Sequence, residues 1–211
     1  MGTIEDTGDF AVETMERLDA IYGEATPRAL RKQTDHVTAP GRALIAASPF
    51  LILATASEDG IDCSPKGDAP GFVQLLDDRT LLIPDRPGNN RVDGMGNIIA
   101  NPKVGIIFMV PGANETYRVN GNARISVDPA LLVRFVVRGK RARAVIVVTV
   151  EEAFNHCPKA FVRADLWRGA ANRSGDAPTH GDFAASIDDG DAGYAAKFDA
   201  KYAERLPDQL Y

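Results

Sequence analysis

Cysteine, histidine and tryptophan are scarce in this chain, whose 211 residues contain two, three and one of them. Cys63 and Cys157 lie far apart, which leaves no framework of disulfides of the kind that staples small secreted domains. His36, His156 and His180 fall at no zinc spacing. His156-Cys157 offers two ligands where a stable zinc site needs three or four, so no metal site is expected. The same two residues make a poor nucleophile pair, since neighbours on a strand point to opposite faces. No run of eighteen apolar residues is present, and no membrane span is expected. Positive charge is also short: 24 Lys and Arg against 29 Asp and Glu give a formal charge of −5, which argues against a broad nucleic-acid footprint. The acidic start, Met1 to Asp6, lacks a basic stretch followed by an apolar core, so a cytoplasmic location is the expectation.

The common catalytic signatures are missing as well. There is no Gly-x-x-x-x-Gly-Lys-Ser/Thr loop and no Gly-x-Ser-x-Gly elbow. Gly94-Met95-Gly96 opens like a dinucleotide fingerprint, but Ile99 stands where the third glycine belongs and no βαβ alternation surrounds it.

What the chain does have is the texture of a soluble globular protein, with 45% hydrophobic and 25% charged residues. Phe10 to Ala25 places Val12, Met15, Leu18, Ile21 and Tyr22 at helical spacing, and a second helix is expected over Pro40 to Ala47, stopped by Ser48-Pro49. From Phe50 the pattern turns to short β-like runs. Strands are expected at Phe50 to Ala56, Ile61 to Lys66, Phe72 to Leu76, Thr80 to Ile83, Val104 to Val110, Thr116 to Ser126 and Ala144 to Val150. Val104 to Val110 reads as a strand buried on both faces. Short helices are expected at Val92 to Ala100, with Met95, Ile98 and Ile99 on one side, and from Asp128 to Val136, with Asp128 as N-cap. Ala170 to Gly193 reads as a mobile loop, and Tyr194, Phe198 and Tyr202 mark a final helix that docks on the body or on a partner. Six or seven strands at hairpin spacing with few helices indicate a mainly β protein built on a small antiparallel barrel.

Two segments carry polar groups suited to a phosphorylated heterocycle. Ser64 and Lys66, two apart on one strand, share a face. Pro84-Asp85-Arg86-Pro87-Gly88-Asn89-Asn90-Arg91 is a tight turn rich in Gly, Asn and Arg ahead of a helix start, where backbone N–H groups and guanidinium groups can hold an anion. A cation about 4 Å from a phosphate charge gains on the order of 4 kcal/mol at an effective dielectric of 20. A second basic cluster, Arg138, Lys140, Arg141 and Arg143 around Gly139, reads as a solvated turn.

These segments, together with Ser48-Pro49-Phe50, Ala54-Thr55-Ala56, Cys63 to Asp68, Asn101 to Gly105, Glu115 to Gly121 and His156 to Ala160, resemble the pyridoxamine 5′-phosphate oxidase-like flavoproteins. The resemblance runs from about Ala43 to Trp167. It implies a six- to seven-stranded FMN-binding split barrel over residues 43–169, a helical extension over 1–42 and a loop and helix over 170–211. It further implies a homodimer with FMN at the subunit interface. Ser64 and Lys66 would line the flavin, Asn90 and Arg91 would hold its phosphate, with Arg86 and Asn89 as further cofactor contacts on that loop, and Lys159, Arg163 and Trp167 would approach from the C-terminal part. The Arg-x-x-x-Leu-Lys and Ser-Arg-Lys patterns of the vitamin B6 enzyme are absent, so the substrate is a different small molecule or a reduced nicotinamide donor. A flavin- or haem-binding protein without turnover and a reductase using the deazaflavin F420 are the alternatives. No acid–base pair singles out catalytic residues.

Overall fold

The structure is a computed structural model that describes residues 10–168 and 177–211. The chain forms two compact units, 1–33 and 34–211. In the first, α1 (Met15–Tyr22) and α2 (Pro27–Arg31) begin at Thr14 and Thr26, whose hydroxyls accept from the backbone N–H groups of Arg17 and Ala29. Thr14 therefore starts the first helix five residues later than the apolar spacing alone suggests.

The second unit contains α3 (Ala39–Ala47), β1 (Phe50–Ser57), β2 (Gly60–Gly67), β3 (Gln74–Leu75), β4 (Thr80–Asp85), α4 (Asp93–Ala100), β5 (Lys103–Met109) and β6 (Thr116–Ser126). It continues with α5 (Pro129–Leu132), a 3-10 turn at Val133–Phe135, β7 (Ala144–His156), α6 (Lys159–Ala164), α7 (His180–Ile187) and α8 (Ala192–Gln209). Asp128 caps α5 as expected, accepting from Ala130 N–H at 2.9 Å. The strands form one antiparallel sheet in the order β2-β1-β5-β6-β7-β4-β3. This is the mainly β class that the hairpin spacing predicts, with seven strands.

The sheet curls until its two ends meet. Lys66 at the end of β2 reaches Asp85 at the end of β4 at 3.0 Å, and Arg86, one residue further on, pairs with Asp68 at 2.8 Å. The curl encloses a core of Leu51 and Leu53 from β1, Leu81 and Ile83 from β4, Val104, Ile106 and Phe108 from β5, Val119 from β6 and Ile146, Val148 and Val150 from β7. A smaller cluster on the opposite side of β4 and β7 buries Leu82, Val145 and Val147 under Phe135. Covering on both faces accounts for the unbroken apolar runs of these two strands.

The equally apolar run at 104–110 behaves differently, which corrects the expectation of a strand buried on both faces. Burial alternates along β5, and Ile107 is 38% exposed. By register, Ile107 lies beside Ile52, which lies beside Pro65, and Ile52 is only half-buried. The outward face of β2, β1 and β5 is thus apolar and, among the described residues, only partly covered. Three further expectations change. The strand at Phe72 to Leu76 shrinks to Gln74–Leu75, because Phe72 and Val73 turn into the core. Ile99 leaves the packed side of α4 and is 80% exposed. Part of the expected loop over Ala170 to Gly193 lies outside the described residues, but His180–Ile187 is a helix started by a capping box between Thr179 and Asp182. The aromatic row of α8 packs on α7: the His180 ring lies 5.2 Å from Phe198 and 4.8 Å from Tyr202.

Candidate functional site

The seam where β2 meets β4 brings together the two segments singled out in the sequence. Pleating places Asp62, Ser64 and Lys66 on the less exposed side of β2. The Ser64 hydroxyl donates to Asp62 Oδ2 at 2.6 Å, and Lys66 Nζ donates to Asp85 Oδ1, with about four fifths of each of the latter two side chains buried. Arg86 sits deeper. Its Nε donates to Asp68 Oδ2 at 2.8 Å and a terminal nitrogen donates to the Phe135 carbonyl at 2.7 Å, so this guanidinium is held inside the fold rather than displayed on the loop. The Asp68 side chain is 4% exposed. Burial pushes its carboxyl up, but the Ala69 N–H, the Tyr211 hydroxyl and Arg86 together hold it below the ordinary carboxylate value.

Beyond Pro87 the loop is exposed and shaped by its own side chains. Asn89 Oδ1 accepts from the Arg91 N–H at 3.0 Å, closing an Asx turn, and Asn90 takes the left-handed conformation at φ 61°. Asn90 Oδ1 accepts from a terminal nitrogen of Arg143 at 2.5 Å. Arg91 pairs through Nε with Asp93 at 2.6 Å while its side chain stays 78% exposed. Arg91 and Arg143 therefore flank Asn90, and α4 starts immediately after.

That helix start is open. Val92 precedes α4 without a side-chain cap, whereas Thr or Asp side chains cap α1, α2, α3, α5, α7 and α8. The first turn of α4 presses on the sheet at Gly94, where a Cβ would stand 2.9 Å from Asp62 Oδ2 and 3.4 Å from Ser64 Oγ. Asn97 donates to Thr55 Oγ1 at 3.2 Å and fixes the helix on β1. Uncapped N–H groups and two guanidiniums on one rim suit a phosphate, and the hydroxyl and carboxylate of Ser64 and Asp62 lie beside them.

The C-terminal candidates sit elsewhere. Lys159 and Arg163 are exposed on α6, and Trp167 Nε1 donates to the Ala113 carbonyl at 2.7 Å, packing with Phe161 near the β5–β6 turn. Among the described residues, no recorded hydrogen bond or ion pair joins these three to the 84–91 loop. Among the same residues no group of three or more His, Cys, Asp or Glu could hold a metal ion, and no helix is long and apolar enough to cross a membrane.

Asp62, Asp68, Asp85, Arg143 and Tyr211 of this neighbourhood are not among the site residues that the sequence singles out. Arg143 belongs to the basic cluster read as a solvated turn. Pairing of β7 with β4 carries it to the loop, since Asp85 lies beside Ala144 and the Arg143 N–H donates to the Asp85 carbonyl at 3.1 Å. Charge counting alone contains no register.

HupZ of Group A Streptococcus is 25% identical over 56% of this chain and 93% of its own, with a TM-score of 0.47. An FMN-binding protein from Syntrophomonas wolfei is 13% identical over 55% of this chain and 83% of its own, with a TM-score of 0.43. General Stress Protein 26 from Bacillus anthracis is 18% identical over 54% and 88%, with a TM-score of 0.39. No curated protein sequence matches the chain. The family model described as pyridoxamine 5′-phosphate oxidase matches residues 38–157, a stretch that contains all seven strands, the 84–91 loop and α4. With more than half its length so matched, the chain belongs to the pyridoxamine 5′-phosphate oxidase family.

Proposed function

We propose that this chain is an FMN-dependent oxidoreductase that works as a homodimer on a small-molecule substrate or a reduced nicotinamide donor. The observation that carries the reading is the uncapped start of α4 between Arg91 and Arg143, with Asn90 held by Arg143. A phosphate dianion fits that donor set, because both guanidiniums keep terminal N–H groups beyond those used on Asp93 and Asn90. FMN supplies two-electron redox chemistry when bound. The protein's part is to hold and orient it. Arg91, Arg143, Asn89, Asn90 and the first N–H groups of α4 take the phosphate, while Ser64 and Asp62 offer partners for hydroxyl groups beside it. Lys66 lines the same seam, its charge balanced by Asp85, so it acts as a fixed donor rather than an uncompensated cation. Arg86 supports the loop from within.

The apolar outer face of β2, β1 and β5 supports the homodimer reading. Ile61 is 81% exposed there, and a shallow cleft of about 340 Å³ opens beside it, lined by Ala54, Ala56, Gly105 and Asn120. A second copy covering this face would also bring its own Lys159, Arg163 and Trp167 into play, a role left open by the lack of a hydrogen bond or ion pair between these residues and the loop among the described residues.

The test is the visible spectrum of the purified protein, with mass analysis of any released chromophore. FMN is the expected product. Haem or a deazaflavin would replace the cofactor assignment, and a colourless protein that does not take up added FMN would overturn it. Steady turnover with a reduced nicotinamide separates an enzyme from a storage protein.

A further inference from the structure

We infer that Tyr211 is a positioning residue for the phosphate loop, a latch through which the α7–α8 hairpin controls retention of a phosphorylated flavin; the inference rests on the flavin reading above. Tyr211 follows α8, and its side chain is inserted among residues from three separate segments. Its ring lies under two guanidiniums, with the Arg86 Cζ 5.6 Å and the Arg138 Cζ 5.2 Å from the centroid. Its hydroxyl donates to Asp68 Oδ1 at 2.8 Å, and its backbone carbonyl accepts from Lys140 Nζ at 2.5 Å. The phenol is held off ionisation by the same contact, since the hydrogen bond to Asp68 raises its pKa, with burial adding to the effect.

Each partner leads to the loop. Asp68, which follows β2, holds Arg86, the residue at which the chain leaves β4 for Pro87 and the Asn89–Arg91 turn. Arg138 and Lys140 form the turn before β7, where Val137 and Lys140 bridge each other, and three residues later Arg143 grips Asn90. One tyrosine thus fastens both ends of the path that shapes the anion site, the root of the loop and the arm that holds its tip. Among the described residues, the most extensive packing of α7 and α8 is on each other, and the Tyr211 cluster ties the end of this hairpin to the barrel. An aromatic ring within reach of two guanidiniums, with its hydroxyl on a carboxylate, is a specific arrangement, and a solvated tail gives no reason for it.

Because the latch acts through the phosphate loop, its loss must affect FMN and spare riboflavin, which lacks the phosphate. The experiment is equilibrium titration of the full chain and of Tyr211→Ala with each of the two flavins, followed by stopped-flow release. Tyr211→Ala is expected to weaken FMN about tenfold, mostly through faster release, and to leave riboflavin within about twofold. Tyr211→Phe, which keeps the ring beside the guanidiniums, is expected to recover most of the difference. Should Tyr211→Ala fail to fold, Tyr211→Phe and Arg138→Ala are read by the same criterion, with about threefold selective weakening of FMN expected. Equal weakening of both flavins, or no change in either, overturns the latch while leaving the flavin reading intact. If the unaltered chain binds no FMN, that reading falls and takes the latch with it.

Discussion

Removing Arg86 isolates the electrostatics of the seam, because Asp68 is then left nearly buried without its counter-ion. Breaking a buried ion pair from one side costs about 3–5 kcal/mol in general. Here Asp68 keeps two donors, the Ala69 N–H and the Tyr211 hydroxyl, and the Arg86 side chain is 15% exposed, which lowers the cost. Against that, the Phe135 carbonyl loses its guanidinium partner, worth about 1 kcal/mol. Arg86→Met should therefore destabilise the cofactor-free chain by about 3 kcal/mol, or about 6–12 °C in melting temperature for a unit of this size. Urea unfolding at pH 7 and pH 4 checks both the size and the cause. In the unaltered chain the folded carboxyl titrates below its ordinary 3.8, so its contribution is present above that value and is lost only as pH falls through the depressed one. Without Arg86, burial raises the carboxyl, and protonation relieves the penalty on the way to pH 4. The gap between variant and parent must narrow there, and Asp68→Leu combined with Arg86→Met should recover much of the loss. A gap under about 0.5 kcal/mol at pH 7, the scatter of ordinary surface substitutions, or one that stays constant to pH 4, refutes the reasoning.

Other perturbations test separate parts of the structure. Gly121→Ala places a Cβ 2.1 Å from the Thr149 carbonyl oxygen at the β6 bulge, where only backbone could give way, so a loss of about 3 kcal/mol in urea unfolding is expected. Ile107→Lys puts a charge on the outward face of β5 and should convert the proposed dimer to monomer in sedimentation while leaving the melting of the isolated chain within about 0.5 kcal/mol; a dimer that persists unchanged would move the interface elsewhere. Arg143→Ala frees Asn90 and should weaken FMN about tenfold, an effect that shrinks as salt is raised from 50 mM to about 500 mM.

Much of the fold was legible because local signals and tertiary demands agree. Ser48-Pro49 stops α3 at Ala47, and Asp128-Pro129 starts α5, since each depends only on neighbouring backbone groups. Burial was harder to read. The runs at 104–110 and 144–150 look alike in sequence, yet β7 is covered on both faces over 144–148 and β5 on one. An apolar run reports what a strand will touch, including a partner chain, and says nothing of which body supplies the contact.

The site divides along the same line. Ser64 and Lys66 share a face because alternation requires it, and the Asn89–Arg91 turn forms because Asn89 closes it locally. Arg86 looked like a ligand clamp by its place in a loop. Its partners Asp68 and Phe135 are 18 and 49 residues away, and only the closing of the barrel reveals them. Arg143 and Tyr211 were invisible for that same reason, being 53 residues from Asn90 and 143 from Asp68.

The central claim is that a phosphorylated flavin binds where α4 starts, and equilibrium titration of the purified chain with FMN, followed by flavin fluorescence, tests it most directly. The account predicts saturable binding that Arg91→Ala combined with Arg143→Ala weakens about a hundredfold, with the variant's melting curve essentially unchanged. Binding of equal strength in parent and variant, or no binding to the parent at all, would contradict it.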